Sequence, residues 1–390
     1  MTTALAKTVA EEALGFQLPH RRMEDWRWTD LRQLIDKPYP PRQTVVAQTG
    51  EVERLLAASP FGGISAARMV FVNGFYDEAR SKLANGWVES KSPIDEPVQE
   101  MNVAFATDGA RLRLEGNLDK PIELLFIATD AAPRTVATRN VIEVADDASA
   151  TIIETHLGAG SYLANSVTEI RVGNNARLDR VKVELDSGDA THLAHCVVTA
   201  GHSATLRDFT LTTGAKLNRQ NGTYRFIGEF ADARVAGAYL LSGRQHADTR
   251  VVVDHEVPNC VSRELFKCVM DDHARGIFQG KVIVQRGAQK TDGKQSSHAL
   301  LLSETAEFDA KPELEIYADD VVCGHGATAG DLNHDHIFYL KSRGIPEAEA
   351  QAMLIGAFVG EAFETIHHDG IREALGEFAA HWLATHRRKG

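Results

Sequence analysis

The chemistry best supported by residue type and spacing lies in one stretch, Lys311-Pro-Glu-Leu-Glu-Ile-Tyr-Ala-Asp-Asp-Val-Val-Cys323-Gly-His325-Gly-Ala-Thr. Its first half alternates Leu314, Ile316 and Ala318 against Glu313, Glu315 and Tyr317, as a half-exposed strand does. Continued without a break, that phase turns Cys323 and His325 outward, and side chains at i and i+2 of a strand share a face about 7 Å apart. A thiolate and an imidazole so placed can approach one metal-sized object, and they are ligand types of iron, zinc and iron-sulfur clusters. Two ligands do not complete a four-coordinate site, so the others must come from elsewhere. On spacing alone, a buried thiol beside a hydrogen-bonding histidine in a Gly-rich turn is the reading favoured over a metal site.

Other candidates are weaker. His334 and His336 fall on a predicted helix, where i and i+2 positions point apart. His367 and His368 sit at a helix end, a place where imidazole satisfies carbonyls and the helix dipole. Gly276 to Gly280-Lys281 is one residue short of a phosphate loop, and Gly287 to Gly293-Lys294 is one too long. Gly324, Gly326 and Gly330 miss the dinucleotide fingerprint by one position. There is no G-x-S-x-G elbow and no H-E-x-x-H pair. The acidic pairs Asp271-Asp272 and Asp319-Asp320 read as solvated turns, although a β-helix carbohydrate-active enzyme could use such pairs on a hard cation.

The elements that must position these residues fall into three stretches. Residues 1–67 read as an N-terminal helical region and linker, with Thr2 to Leu14 amphipathic, and Trp26 and Trp28 as packing anchors. Residues 68–330 change to short alternating runs such as Val141-Ile-Glu-Val144 and Arg180-Val-Lys-Val-Glu-Leu185, broken by Gly, Asn and Asp turns. Alanines at 150, 176, 204 and 233 recur at intervals of 26, 28 and 29 residues, with echoes at Ala274 and Ala306. Units of that size cannot bury their own apolar face, so stacking must build a continuous core, and a β-helix solenoid is the expected form. Residues 331–390 form a C-terminal helical module: Asp331 to Arg343, Pro346 to about Ile366, and Ile371 to His386. Its middle helix carries one apolar stripe through Ala350, Met353, Leu354, Ala357 and Phe358 and another through Ile355, Val359, Phe363 and Ile366. Burial of both stripes within the chain's own three helices and a partner surface for one of them both explain that surplus.

Composition narrows the function. A net charge of −12 and a pI near 5.7 disfavour a nucleic-acid or anionic-membrane surface, and Arg387, Arg388 and Lys389 read as a solvated helix end. No apolar run approaches the roughly 18 residues of a spanning helix, and the N-terminus lacks a secretory pattern, so a cytoplasmic protein is expected. Four cysteines without a C-x-x-C fit a reducing compartment.

The stretch from Gln289-Lys-Thr-Asp-Gly-Lys294 through Cys323-Gly-His325-Gly-Ala-Thr328 to Ile337-Phe-Tyr-Leu-Lys-Ser-Arg-Gly-Ile345 resembles the SufB/SufD family of iron-sulfur cluster assembly proteins. Glu24-Asp-Trp-Arg-Trp-Thr29 and the His-Gly-Ala-Thr at 325–328 are similar to its SufD branch. The resemblance implies a mainly β fold with a right-handed parallel β-helix core and helical N- and C-terminal regions. It implies a non-catalytic scaffold that pairs with a SufB-like subunit and binds a SufC-like ATPase. A homodimer is the alternative when the chain is alone. Met353, Leu354, Phe358, Val359 and Phe363 are then the expected residues of the SufC-docking helix. His325 corresponds to an interface histidine that takes part in binding iron or a nascent cluster; Cys323 is the secondary candidate. No permanently bound cofactor is implied, only a transient iron or iron-sulfur cluster shared with SufB.

Overall fold

The computed structural model describes residues 8–41, 49–65, 67–83, 86, 88–91, 94, 96–129 and 133–386. The first turn of the helix expected from Thr2, and the basic residues 387–389, lie outside the described residues. From Ala67–Val72 onward the chain lays successive strands alternately into a ten-stranded and an eight-stranded sheet. One hairpin, Ala67–Val72 with Phe75–Tyr76, is antiparallel, and every other ladder between named strands is parallel. The result is the expected parallel β-solenoid. The sparse prolines of this region preserve the ladder donors that such a sheet needs.

The period originates at one corner. Register aligns Ser149 with Arg177, Thr205, Asp232, Val261, Asp292 and Val322. The residues just before the first six of these, Ala148, Ala176, Ala204, Ala231, Cys260 and Thr291, are buried and small, because coils stack closely there, while Val321 before the last is half-buried. The repeat read from the sequence mixed two phases. Ala176 and Ala204 hold this corner position, whereas Ala150 and Ala233 stand two residues later, level with Leu178 and Leu206. Ala274 and Ala306 precede Arg275 and Glu307 of the other sheet.

One residue earlier, the chain turns through the left-handed region at Asp147, Asn175, Ser203, Phe230, Asn259 and Lys290, with φ of 58°, 54°, 53°, 63°, 63° and 62°. Asn and Asp tolerate that conformation; a bulky residue does so at a cost. Phe230 is also 55% exposed, with only an edge contact to His202 at 5.6 Å between centroids. Phe230→Asn is expected to raise stability by about 1 kcal/mol, seen as a higher thermal midpoint. A lower midpoint would mean that the ring contact outweighs the backbone strain.

Both outer faces of the solenoid are covered. The N-terminal segment opens with a capping box between Thr8 and Glu11 and seats Leu14, Trp26, Leu31 and Tyr39 on the eight-stranded sheet. Trp26 is the buried anchor, with the Arg219 guanidinium 4.5 Å over its ring; Trp28 is half-buried. The ten-stranded sheet is covered by helices Glu347–Phe363 and Asp369–Thr385, packed on Val181, Val183, Phe209, Leu211 and Leu240. A shorter helix, His334–Ser342, precedes them, capped by Asn333 accepting from the Asp335 and His336 amides. His368 reverses its expected part. It caps an N-terminus, its Nδ1 accepting from Ile371 N at 3.3 Å, and so the last helix begins at Asp369.

Candidate functional site

The strand phase carried through to Cys323 and His325 is broken by a corner. Glu307–Ile316 belongs to the eight-stranded sheet and Val322–Gly330 to the ten-stranded one, with residues 317–321 turning between them. Cys323 is level with Gly293, Ser262 and Ala233, and His325 with Gln295, Glu264 and Val235. Ala233 and Val235 line the solenoid interior. Both site residues therefore occupy inward positions, contrary to the outward placement expected from the sequence. His325 is nevertheless exposed, because its strand ends the sheet and, among the described residues, no further coil lies over it.

Their environments differ. Cys323 is half-buried against Val282, Val284, Ala288 and Ala318. Burial pushes its thiol up, opposed in part by a hydrogen bond with the Gly293 backbone. The open end around them presents Ile316, Tyr317 and Val322 at 41%, 55% and 62% exposure. An unpaired strand edge with apolar side chains beside it is a template for another chain. Among the described residues no three His, Cys, Asp or Glu side chains are grouped to hold a metal ion. A metal at His325 needs ligands from outside the described residues or a rearrangement.

The remaining candidates are structural. Gly276, Gly280 and Lys281 lie within strand Arg275–Val284, and Gly293 and Lys294 within Asp292–Leu301, so neither pair forms a phosphate-cradling loop. Asp271 and Asp272 shape one corner, with Asp272 accepting from Gly243 N at 2.9 Å. Asp320 shapes another, donating its amide to Gln289 Oε1 at 2.9 Å.

The five residues expected on the docking helix separate. Val359 and Phe363 are 1% and 5% exposed, with the Phe363 ring 5.5 Å from that of Phe209. They are committed to this chain's own sheet and offer no partner surface. Leu354 and Phe358 are partly buried against the same cluster, and Lys267 Nζ stands 4.6 Å from the centre of the Phe358 ring. Met353 is 49% exposed. The sequence reading missed Phe338 and Tyr339, 75% and 57% exposed on the preceding helix. Two adjacent aromatics beside a single buried Ile337 were the available signal.

Also missed was a charged interior. Arg180, Lys182 and Glu184 point inward, while Val181 and Val183 face the covering helices. Arg180 Nη1 donates to Asp208 Oδ1 at 2.9 Å, and its Nη2 to Glu154 Oε2 at 2.7 Å. Tyr224 Oη donates to Asp208 Oδ2 at 2.8 Å. Lys182 Nζ meets Glu184 Oε1 at 2.7 Å, and His192 Nδ1 meets Asp186 Oδ2 at 2.9 Å. Burial alone would push the Glu154 carboxyl up, but Arg180, His156 and Lys182 hold it well below the usual range. In the same interior the Cys196 thiol is pushed up to about 12, chiefly by burial. It is inert at neutral pH.

Residues 126–358 match the family model described as SUF system FeS cluster assembly, SufBD core domain. An iron-sulfur cluster assembly SufBD family protein of Synechocystis is 33% identical over 395 residues, covering 92% of this chain and 86% of that protein. The iron-sulfur cluster assembly protein SufD of Escherichia coli is 30% identical over 383 residues, covering 94% and 89%. SufD of Bacillus subtilis is 26% identical over 284 residues, covering 70% and 64%.

Proposed function

The chain belongs to the SufB/SufD family of iron-sulfur cluster assembly proteins, on its SufD branch, and from that premise we propose that it is a non-catalytic scaffold whose open solenoid end pairs with a SufB-like subunit. His325 offers its imidazole to iron or a nascent cluster at that interface, and the partner supplies the missing ligands. The observation that carries this reading is the exposure of an inward-facing histidine on an unpaired terminal strand. A coil stacked from a second chain would enclose it.

Cys323 is the secondary ligand, since its thiol is half-buried and disfavoured as thiolate at rest. A SufC-like ATPase docks on the C-terminal helices, with Met353 and the Phe338–Tyr339 pair as the exposed apolar contacts. Its movement strains the paired solenoids and opens the interface to iron and sulfide. The chain acts in the cytoplasm; no helix among the described residues is long and apolar enough to cross a membrane.

Anaerobic co-expression with SufB-like and SufC-like subunits tests this directly. His325→Ala is expected to leave the complex intact by mass while its iron and sulfide content falls several-fold. Unchanged cluster content would sink the role of His325. Recovery of the chain only as a homodimer, with no affinity for the other subunits, would sink the pairing.

A further inference from the structure

Behind His325 lies a column of buried polar side chains that pairing at the open end does not require. Gln295 and Glu264 stand one and two coils beneath His325 in register, and they are 2% and 3% exposed. Adjacent strands lie about 4.8 Å apart, so a nitrogen donor at the rim is followed inward by two oxygen-bearing side chains on one line. Gln295 closes the interior like a plug. Its Nε2 lies 3.4 Å from Gly280 O and 3.3 Å from Glu313 O on the opposite wall. Turned over, the amide donates to Glu264 Oε2 at 3.2 Å and accepts from Glu313 N at 3.3 Å. Gly280 makes room for it, since a β-carbon there would stand 2.0 Å from Gln295 Oε1.

Glu264, behind the plug, is the anomaly. Each of the other acids named in this interior has a basic side chain close by: Glu154 and Asp208 have Arg180, Glu184 has Lys182, and Asp186 has His192, whereas Glu264 has the Gln295 amide alone, at Oε2. Glu264 Oε1 has no hydrogen-bond partner, and burial without an offsetting charge holds its carboxyl well above the usual range. A buried acid left in that state is destabilising, and an amide or an aliphatic side chain would fill the space at less cost. An imidazole followed by amide and carboxylate oxygens is a donor set suited to divalent iron or manganese.

Resting on the reading that iron reaches His325, we propose that Glu264 is an inner oxygen ligand for ferrous iron, taken in past His325 when the Gln295 amide swings aside. The ion enters as Fe2+ and no electron is exchanged. Glu264 releases its carboxyl proton to solvent as its oxygen binds. The site is assembled by the ion.

Anaerobic titration of the full-length chain with Fe2+, and with Co2+ as an absorbing probe, tests this. Wild type is expected to bind one equivalent with a Co2+ absorption band. Glu264→Gln, which has the shape of the neutral acid, is expected to keep its thermal midpoint and bind at least tenfold more weakly. Wild-type affinity in Glu264→Gln, or no binding by wild type, overturns the inner ligand. Neither result touches the role of His325 in the partner complex, which is read separately from cluster content.

Discussion

Arg180→Ala should lower the stability of the chain by about 3–5 kcal/mol, because it leaves two buried carboxylates without their counter-charge. Arg180 is 4% exposed and Glu154 and Asp208 are 1% and 2% exposed at their side chains. Burial works against the charge of Arg180, yet Asp208 and Glu154 hold its guanidinium well above its ordinary value. Once it is removed, those acids must either remain charged in a poorly solvated interior or take up protons. Urea unfolding at neutral pH measures the loss. The triple replacement Glu154→Gln, Arg180→Met, Asp208→Asn removes the charges together and should recover at least half of it, since a buried ion network is a weak source of net stability. A loss under about 1 kcal/mol in Arg180→Ala would show that the network is better hydrated than its burial implies.

Mild acid should have a comparable effect, through histidines held neutral. His195, His246 and His255 are each lowered from 6.5 to about 4. Burial is the main cause in each. For His195 it is reinforced by Arg250, Arg219 and Arg139; for His246 it is partly offset by Asp248. Above pH 6.5 these imidazoles are neutral both folded and unfolded, and the full stability is present. As pH falls from 6.5 toward 4, the unfolded chain binds protons that the folded chain refuses, and stability declines. Each histidine accounts for up to about 3 kcal/mol. Three such losses rival the whole stability of a typical domain, about 5–15 kcal/mol. Glu123 and Glu264, whose carboxyls are raised chiefly by burial, oppose the trend from their raised folded values down to the ordinary carboxyl range, where both states are protonated. Denaturant midpoints at pH 7.0, 5.5 and 4.5 should fall steeply, and His255→Gln should flatten the slope. Constant midpoints across that range would contradict the neutral burial of these rings.

The sites of these two effects were not recognisable from the chain, and the reason is geometric. Arg180-Val-Lys-Val-Glu-Leu185 alternates as a half-buried strand should, and alternation has no sign. In a solenoid flanked by helices both faces are buried. The valines face the helices and the charges face the interior, opposite to the pattern of a solvent-facing sheet. His195 and His246 likewise look like surface residues until the N-terminal segment is laid over them: Thr29 Oγ1 is 2.9 Å from His246 Nε2, and Trp26 stacks under Arg219 beside Asp248.

At the candidate site, residue types were informative and directions were not. Cys323 and His325 were singled out by i, i+2 spacing, but the corner at 317–321 resets the strand phase; Asp319-Asp320 read as a turn, yet a turn by itself does not say which face the next strand presents. The two stripes of Glu347–Phe363 were visible as a surplus of apolar surface. Only the sheet beneath shows that Val359 and Phe363 are used internally while Met353 is left outside. His368 shows the same ambiguity on a smaller scale, since an imidazole can accept from an amide or donate to a carbonyl.

By itself the sequence determined the repeat, the parallel solenoid, the three C-terminal helices and the family, because period, turn residues and motif are local properties of the chain. The tertiary structure alone decided which face of each strand is the interior, where the last coil ends, and hence that His325 is an inward residue left open. Those depend on which segments stack against which, and on where the stacked coils of the described residues end.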